Sequence, residues 1–206
     1  MKISMLGYVQ AGGASSRFGS DKALALFDGK NLLARTAELV AAVCANVKIV
    51  SSIGAHAQSG ISVLQDSWPG EGPLGGIVTA IRETRRVSQE SAWSLIVSCD
   101  MPFLTREWLE FLCVQASKSS AQVVVPESGN GLEPLCACWH SDGLDSLENA
   151  FNEGERKVTQ AMKRLPMEVL DEQAWKRFDT EGRLFWNMNT PEDYAEAKRI
   201  LEADKR

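Results

Sequence analysis

No stretch of this sequence approaches the roughly 18 consecutive apolar residues that a membrane-spanning helix requires. No two cysteines stand in C-x-x-C spacing: Cys44, Cys99, Cys113, Cys136 and Cys138 share the chain with only two histidines, His56 and His140. That shortage of clustered soft ligands argues against a structural zinc site. An odd number of cysteines suits a reducing compartment, where each acts as a small buried hydrophobe. The opening residues, MKISMLGYVQ, lack the apolar core and small-residue cleavage site of a secretory signal, so the expected location is cytoplasmic. A basic excess is missing too. The formal net charge of −5 speaks against broad, charge-driven binding to nucleic acid.

What is present suits a globular domain: 206 residues, of which 44% are hydrophobic and 24% charged. A single domain over residues 1–206 is expected, with no linker, internal repeat or low-complexity tract. Apolar runs alternate with stretches of helical spacing. Strands are predicted at 4–9, 47–50, 61–64, 95–98, 123–126 and 135–139. Helices are predicted at 31–43 behind an Asn31 cap, about 76–84, after Thr105, 144–151, 158–165 and after Pro191. From about residue 142 the chain becomes more helical and more charged. The alternation predicts an α/β fold with a doubly wound, mostly parallel open sheet covered on both faces. Ligands bind such sheets outside the carboxyl ends of the strands. Three unusual segments fall there: the loop after the first strand, the loop at 66–76, and Asp100.

The first loop reads AGGASSRFGSDK. Its spacing fits neither a P-loop nor the dinucleotide fingerprint, because Phe18 stands where the P-loop needs glycine and Gly12 is followed by Gly13 and Ala14. What remains is a pair of adjacent glycines, two hydroxyls, and Arg17 and Lys22 on either side of Gly19. Glycine backbone approaches an anion closely, and the two cations suit a polyphosphate. A glycine-rich turn with solvated charges would read the same way. Asp100, just past LIVS and Cys99, is placed to hold Mg²⁺, a hard ion that takes oxygen ligands and bridges to phosphates. Asp66, after ISVLQ, offers a second polar contact. Taken singly, each is equally an ordinary strand-end or capping residue.

The stretch QAGGASSRFGSDKALALFDGKNLLART resembles the N-terminal signature of the MobA family, the molybdenum cofactor guanylyltransferases, which reads L-A-G-G, then S-S-R-M-G, then D-K-A-L. Further matches follow in order along the chain: Gly72-Pro73-Leu74 with Gly75-Gly76, Ser98-Cys99-Asp100-Met101-Pro102-Phe103, Glu133-Pro134-Leu135, and Asn187-Met188-Asn189-Thr190-Pro191-Glu192-Asp193. Ordered co-occurrence is far more specific than any one motif. The resemblance implies a Rossmann-like nucleotidyltransferase fold and transfer of GMP from GTP to molybdopterin carrying molybdenum, with Mg²⁺. It implies that Arg17, Lys22 and Asp100 are catalytic, with Asp100 on the metal. Nucleotide and cofactor contacts are implied for Gln10, Ala11, Gly12, Gly13, Lys22, Ser51, Asp66 and Asp100, with Asn187 and Asn189 near the pterin. Handover of an oxygen-sensitive product implies a transient delivery or acceptor protein. Nucleotidyl transfer rests on positioning and charge stabilisation, so the absence of a recognisable Ser-His-Asp arrangement is no defect.

Cytidylyl relatives tend to read L-A-A-G, so Gly12 favours GTP. Three departures stand out: Gln10 replaces leucine, Phe18 replaces methionine, and Ser51-Ser52-Ile53 stands where relatives often carry an asparagine. Two other readings stay open, a transferase with another base or acceptor and a non-catalytic nucleotide or cofactor carrier. Thr190-Pro191 also reads as a helix start, and Trp68 and Trp186 as either pterin-stacking or core residues.

Overall fold

The computed structural model describes residues 3–12, 21–52, 56, 60–88, 92–179 and 181–204. From the amino end the elements are β1 (Ile3–Gln10), the hairpin of β2 (Leu26–Phe27) and β3 (Lys30–Asn31), α1 (Leu32–Val43), β4 (Cys44–Ser51), β5 (Ser62–Gln65), α2 (Pro73–Ser88), β6 (Trp93–Ser98) and α3 (Arg106–Ala116). Then follow β7 (Val123–Ser128), β8 (Gly131–Leu132), β9 (Cys136–His140), α4 (Leu144–Asn152), α5 (Val158–Ala161), β10 (Met167–Leu170), α6 (Glu172–Trp175) and α7 (Pro191–Asp204).

An eight-stranded sheet runs in the order β10-β7-β9-β6-β1-β4-β5, with β8 attached to β7. β1 is parallel to β4 and β6, β5 to β4, and β10 to β7, whereas β9 is antiparallel to both β6 and β7. The predicted mostly parallel open sheet is therefore present, with β9 reversed inside it and the short β8 reversed beside β7. Successive residues of a strand point to opposite faces. Val9 and Val97 accordingly join Leu33 and Ala37 of α1 and Leu109 and Leu112 of α3 in one buried layer. Tyr8 and Ile96 join Ile77 and Ile81 of α2 and Leu147 and Phe151 of α4 in the other. All five cysteines are buried, as a packing role requires.

Local chemistry accounts for the element ends. Asn31 accepts from the Ala34 amide at 2.7 Å, and Thr105 from the Trp108 amide at 3.3 Å, so both predicted caps are made. The hairpin turns on Asp28 and Gly29, with φ of 55° and 76°, the Asp-Gly pairing that two-residue hairpins favour. α1 packs so closely on β1 that a Cβ on Gly7 would stand 2.3 Å from Val40 Cγ1. Three expectations need correction. α2 begins at Pro73 rather than near 76, because proline's fixed φ and missing N–H suit a first helical turn. The helix expected at 158–165 is one α turn, α5, followed by the 3₁₀ turn Met162–Arg164. The helical tail after 142 also contains a strand, β10, whose four residues are too few to show a period and which pairs with β7. Among the described residues, no helix is long and apolar enough to cross a membrane.

Candidate active site

The carboxyl ends of β1, β4, β5 and β6 lie side by side, since Gln10 pairs with Val50 and with Ser98, and Ser51 with Gln65. Backbone bonds carry this alignment past the strands. Ala11 N donates to the Val50 carbonyl at 3.0 Å, Asp66 N to Ser51 at 3.1 Å, and Cys99 N to Gln10 at 3.3 Å. Residues distant in sequence are thus held on one rim, where open α/β sheets bind ligands.

Asp100 lies two residues past the end of β6, after Cys99. Lys22 Nζ donates to Asp100 Oδ2 at 2.8 Å and to Asn189 Oδ1 at 3.3 Å, and the Met188 amide donates to the Asp100 carbonyl at 2.9 Å. Three predicted site residues from three parts of the chain therefore meet. The second carboxylate oxygen, Asp100 Oδ1, is buried and, among the described residues, has no hydrogen-bond partner. A buried carboxylate oxygen left without a donor is costly, and a cation is the simplest way to satisfy it. Among the described residues, no group of three or more His, Cys, Asp or Glu side chains is placed to hold a metal. A single carboxylate is a common protein anchor for Mg²⁺, with water and substrate phosphates filling the other positions, so the donor set fits that ion.

The other predicted residues distribute as follows. Gln10 and Ser51 are buried, and Ala11 is fully buried, while Gly12 is exposed and a Cβ there would meet none of the described residues within 4 Å. Asp66 turns to the loop before α2: its Oδ1 accepts from the Trp68 amide at 3.0 Å and from Thr79 Oγ1 at 3.4 Å. Arg17 and Gly13 lie outside the described residues. Asn187 donates to the Phe185 carbonyl at 3.2 Å. It lines a cavity of about 900 Å³ together with Ser128, Trp175, Trp186, Asn189 and Asp193. Trp186 thus faces open space, whereas Trp68 packs against Phe151 at 4.8 Å with the Arg82 guanidinium 4.6 Å above it, a core arrangement.

Thr190 caps α7, accepting from the Asp193 amide at 3.1 Å, and Asp193 Oδ2 accepts in return from the amides of Asn189 and Thr190 at 2.8 and 2.9 Å. These amide donors, that of Asn189 foremost, hold the Asp193 carboxyl below its usual range. The helix start and the site are one structure, since the cap aims Asn189 at Lys22. Burial pushes the Glu133 carboxyl up; the Ser128 hydroxyl, donating at 2.6 Å, pulls it back, and nearby Asp100 raises it further.

One arrangement escaped the sequence reading. His56, 1% exposed, joins Ser51 Oγ through Nδ1 and Asp21 Oδ2 through Nε2, each at 2.6 Å. A Ser-His-Asp chain is therefore present after all. Ser51 is only 2% exposed, so the chain serves as a strut between the end of β4 and the Asp21-Lys22 turn rather than as a nucleophile. The signal was faint: one of two histidines in the sequence, five residues beyond Ser51. His56→Ala strands two polar partners and is expected to cost about 2 kcal/mol in urea unfolding. Loss of the strut that sets Lys22 should also lower kcat/KM about tenfold. Unchanged stability and rate would show that the strut carries no load.

With this geometry in hand, comparison with known proteins is direct. The MobA-like NTP transferase domain matches residues 7–168. The molybdenum cofactor guanylyltransferase of Desulfosudis oleivorans is 28% identical over 204 residues, 98% of each chain. The probable molybdenum cofactor guanylyltransferase of Deinococcus radiodurans is 36% identical over 190 residues, 91% of each chain. Among solved structures, molybdopterin-guanine dinucleotide biosynthesis protein A from Archaeoglobus fulgidus has a TM-score of 0.82 at 26% identity, covering 97% of this chain and all of that one. The chain belongs to the MobA-like NTP transferase family.

Proposed function

We propose that this chain is a molybdenum cofactor guanylyltransferase: it transfers GMP from GTP to the molybdopterin-bound molybdenum cofactor and releases pyrophosphate. A phosphate oxygen of the acceptor attacks the α-phosphorus of GTP, and the bond from that phosphorus to the β-bridging oxygen breaks, so pyrophosphate departs with the electron pair. The observation that carries the reading is the buried Asp100 Oδ1, unpartnered among the described residues, beside the Lys22 ammonium at the rim of parallel strands. Charge spreads over the phosphate oxygens as the leaving group departs, and fixed charges around them do most of the catalytic work.

Lys22 supplies a compact positive charge to the phosphates, and Arg17 a second. Asp100 Oδ1 would hold Mg²⁺, which when bound would neutralise phosphate charge and help to orient the phosphates. Ala11, Gly12 and Gly13 bring backbone close to the nucleotide, and Ser51 and Asp66 border it from the ends of β4 and β5. Asn189, held by the α7 cap, and Asn187 turn their amides toward the acceptor. The cavity beside them, with Trp186 on its wall, has the size and mixed polar and aromatic lining that a pterin requires. The reducing cytoplasm suits the buried cysteines, and the oxygen-sensitive product calls for direct handover to a receiving protein.

The test is an assay of the purified chain with Mg²⁺, molybdenum-loaded molybdopterin and each nucleoside triphosphate in turn. Dinucleotide product and pyrophosphate are expected from GTP. Product from CTP in its place would overturn the assignment of the base, and GTP binding without pyrophosphate release would overturn catalysis.

A further inference from the structure

Gln10 is the last residue of β1 and is 6% exposed. Its Nε2 donates to the Pro73 carbonyl at 3.0 Å, which settles the orientation of the amide, since the reverse would set oxygen against oxygen. The other end, Oε1, is buried and, among the described residues, has no hydrogen-bond partner. The amide is gripped from the far side as well: a Cβ on Gly76 would stand 2.3 Å from Nε2 and 2.8 Å from Cδ. Glycine at 76 is what lets the amide lie against the first turn of α2. A carbonyl kept from water and offered no donor is disfavoured in the free chain and relieved by a ligand that brings one.

The backbone that carries this amide adjoins the candidate site. The Gln10 main-chain carbonyl accepts from the Cys99 amide, next to Asp100, and two residues further along is Gly12, with open space beside it among the described residues. Backbone amides and cations account for recognition of phosphates there. The Gln10 Oε1 is a different kind of group, a neutral acceptor in a dry place, and such groups discriminate between bases by hydrogen bonding.

We infer that Gln10 Oε1 reads the base of the nucleotide, accepting from the N1–H and 2-amino edge of guanine. This rests on the guanylyl reading above. Adenine presents an unprotonated N1 at the same edge, so its lone pair would face that of Oε1 and leave both acceptors unsatisfied. Leucine, which the family signature carries at this position, has no acceptor, so the contact is a property of this chain.

The test is calorimetric binding of GTP and of ATP, each with Mg²⁺, to the full chain and to Gln10→Met, which keeps the length of the side chain and removes the amide. The ratio of GTP to ATP affinity is expected to fall about tenfold in the variant. Gly76→Ala, which drives the amide out of its seat while leaving Gln10 in the sequence, is expected to move the ratio in the same direction. It serves as the readout if Gln10→Met does not melt cooperatively. A folded variant whose ratio stays within twofold of the parent overturns the inference. Failure of the guanylyl reading shows separately, as a parent chain that binds CTP in preference to GTP before any substitution is made.

Discussion

Asp100→Ala is expected to abolish guanylyl transfer, lowering kcat/KM about a thousandfold or more, equivalent to ~4 kcal/mol of transition-state stabilisation. The reason lies in its two oxygens. Oδ2 accepts from Lys22 at 2.8 Å, while Oδ1 is buried and, among the described residues, has no partner, so Oδ1 is the oxygen left for a metal ion. The substitution removes the proposed metal ligand and the partner of the ammonium together. The fold should survive, because Asp100 touches Met188 through its backbone carbonyl, which alanine retains. Initial rates across a Mg²⁺ titration, beside thermal melting, provide the check. A variant that melts like the parent and turns over at near-normal rate refutes the metal role, and one whose loss is restored by raising Mg²⁺ marks Asp100 as an aid to metal affinity alone.

Lys22→Met should lower kcat/KM about a hundredfold, near 3 kcal/mol, because one fixed cation near a transferring phosphate contributes on that scale. Lys22→Arg should restore only part of it. The ammonium sits between Asp100 Oδ2 and Asn189 Oδ1, 2.8 and 3.3 Å away, and a planar guanidinium cannot reproduce that compact geometry. Steady-state rates with GTP varied separate the roles. A fall confined to KM would assign Lys22 to ground-state binding, and a fall in kcat to charge stabilisation during transfer. Full activity in Lys22→Met would remove Lys22 from the reaction.

The two expectations draw on residues that were legible for a simple reason. Lys22 belongs to a short local motif, Asp100 comes just after an apolar run of the kind expected for a central parallel strand, and Asn189 lies in a stretch that reads as a helix start. Each needs only its own neighbours in sequence to be noticed. His56 illustrates the opposite case, since its partners are Ser51, five residues away, and Asp21, thirty-five residues away. No period or spacing in the sequence expresses that contact. Asp66 was noticed for its position after a strand, and its observed partners, Trp68 and Thr79, are those of a turn-stabilising carboxylate. Gln10 was visible as a departure from the family signature, but the missing donor at Oε1 depends on Pro73 and Gly76, some sixty residues further on.

The same division holds for the fold. The sequence by itself determined the alternation of strands and helices, the caps at Asn31 and Thr105, and the α/β class, because hydrophobic period and capping chemistry are local and survive in any context. Strand direction was not local. The run at β9 is as apolar as that at β6, and nothing in either shows that β9 would enter the sheet reversed, between β6 and β7. β10 became a strand because β7 offered it a partner edge, and α2 lengthened to Pro73 beside Gln10 and Trp68. Tertiary structure decided these features because their energies come from contacts between distant segments. The site itself is of that kind, since Lys22, Asp100 and Asn189 meet only when the sheet brings its strand ends together and α7 returns to the rim.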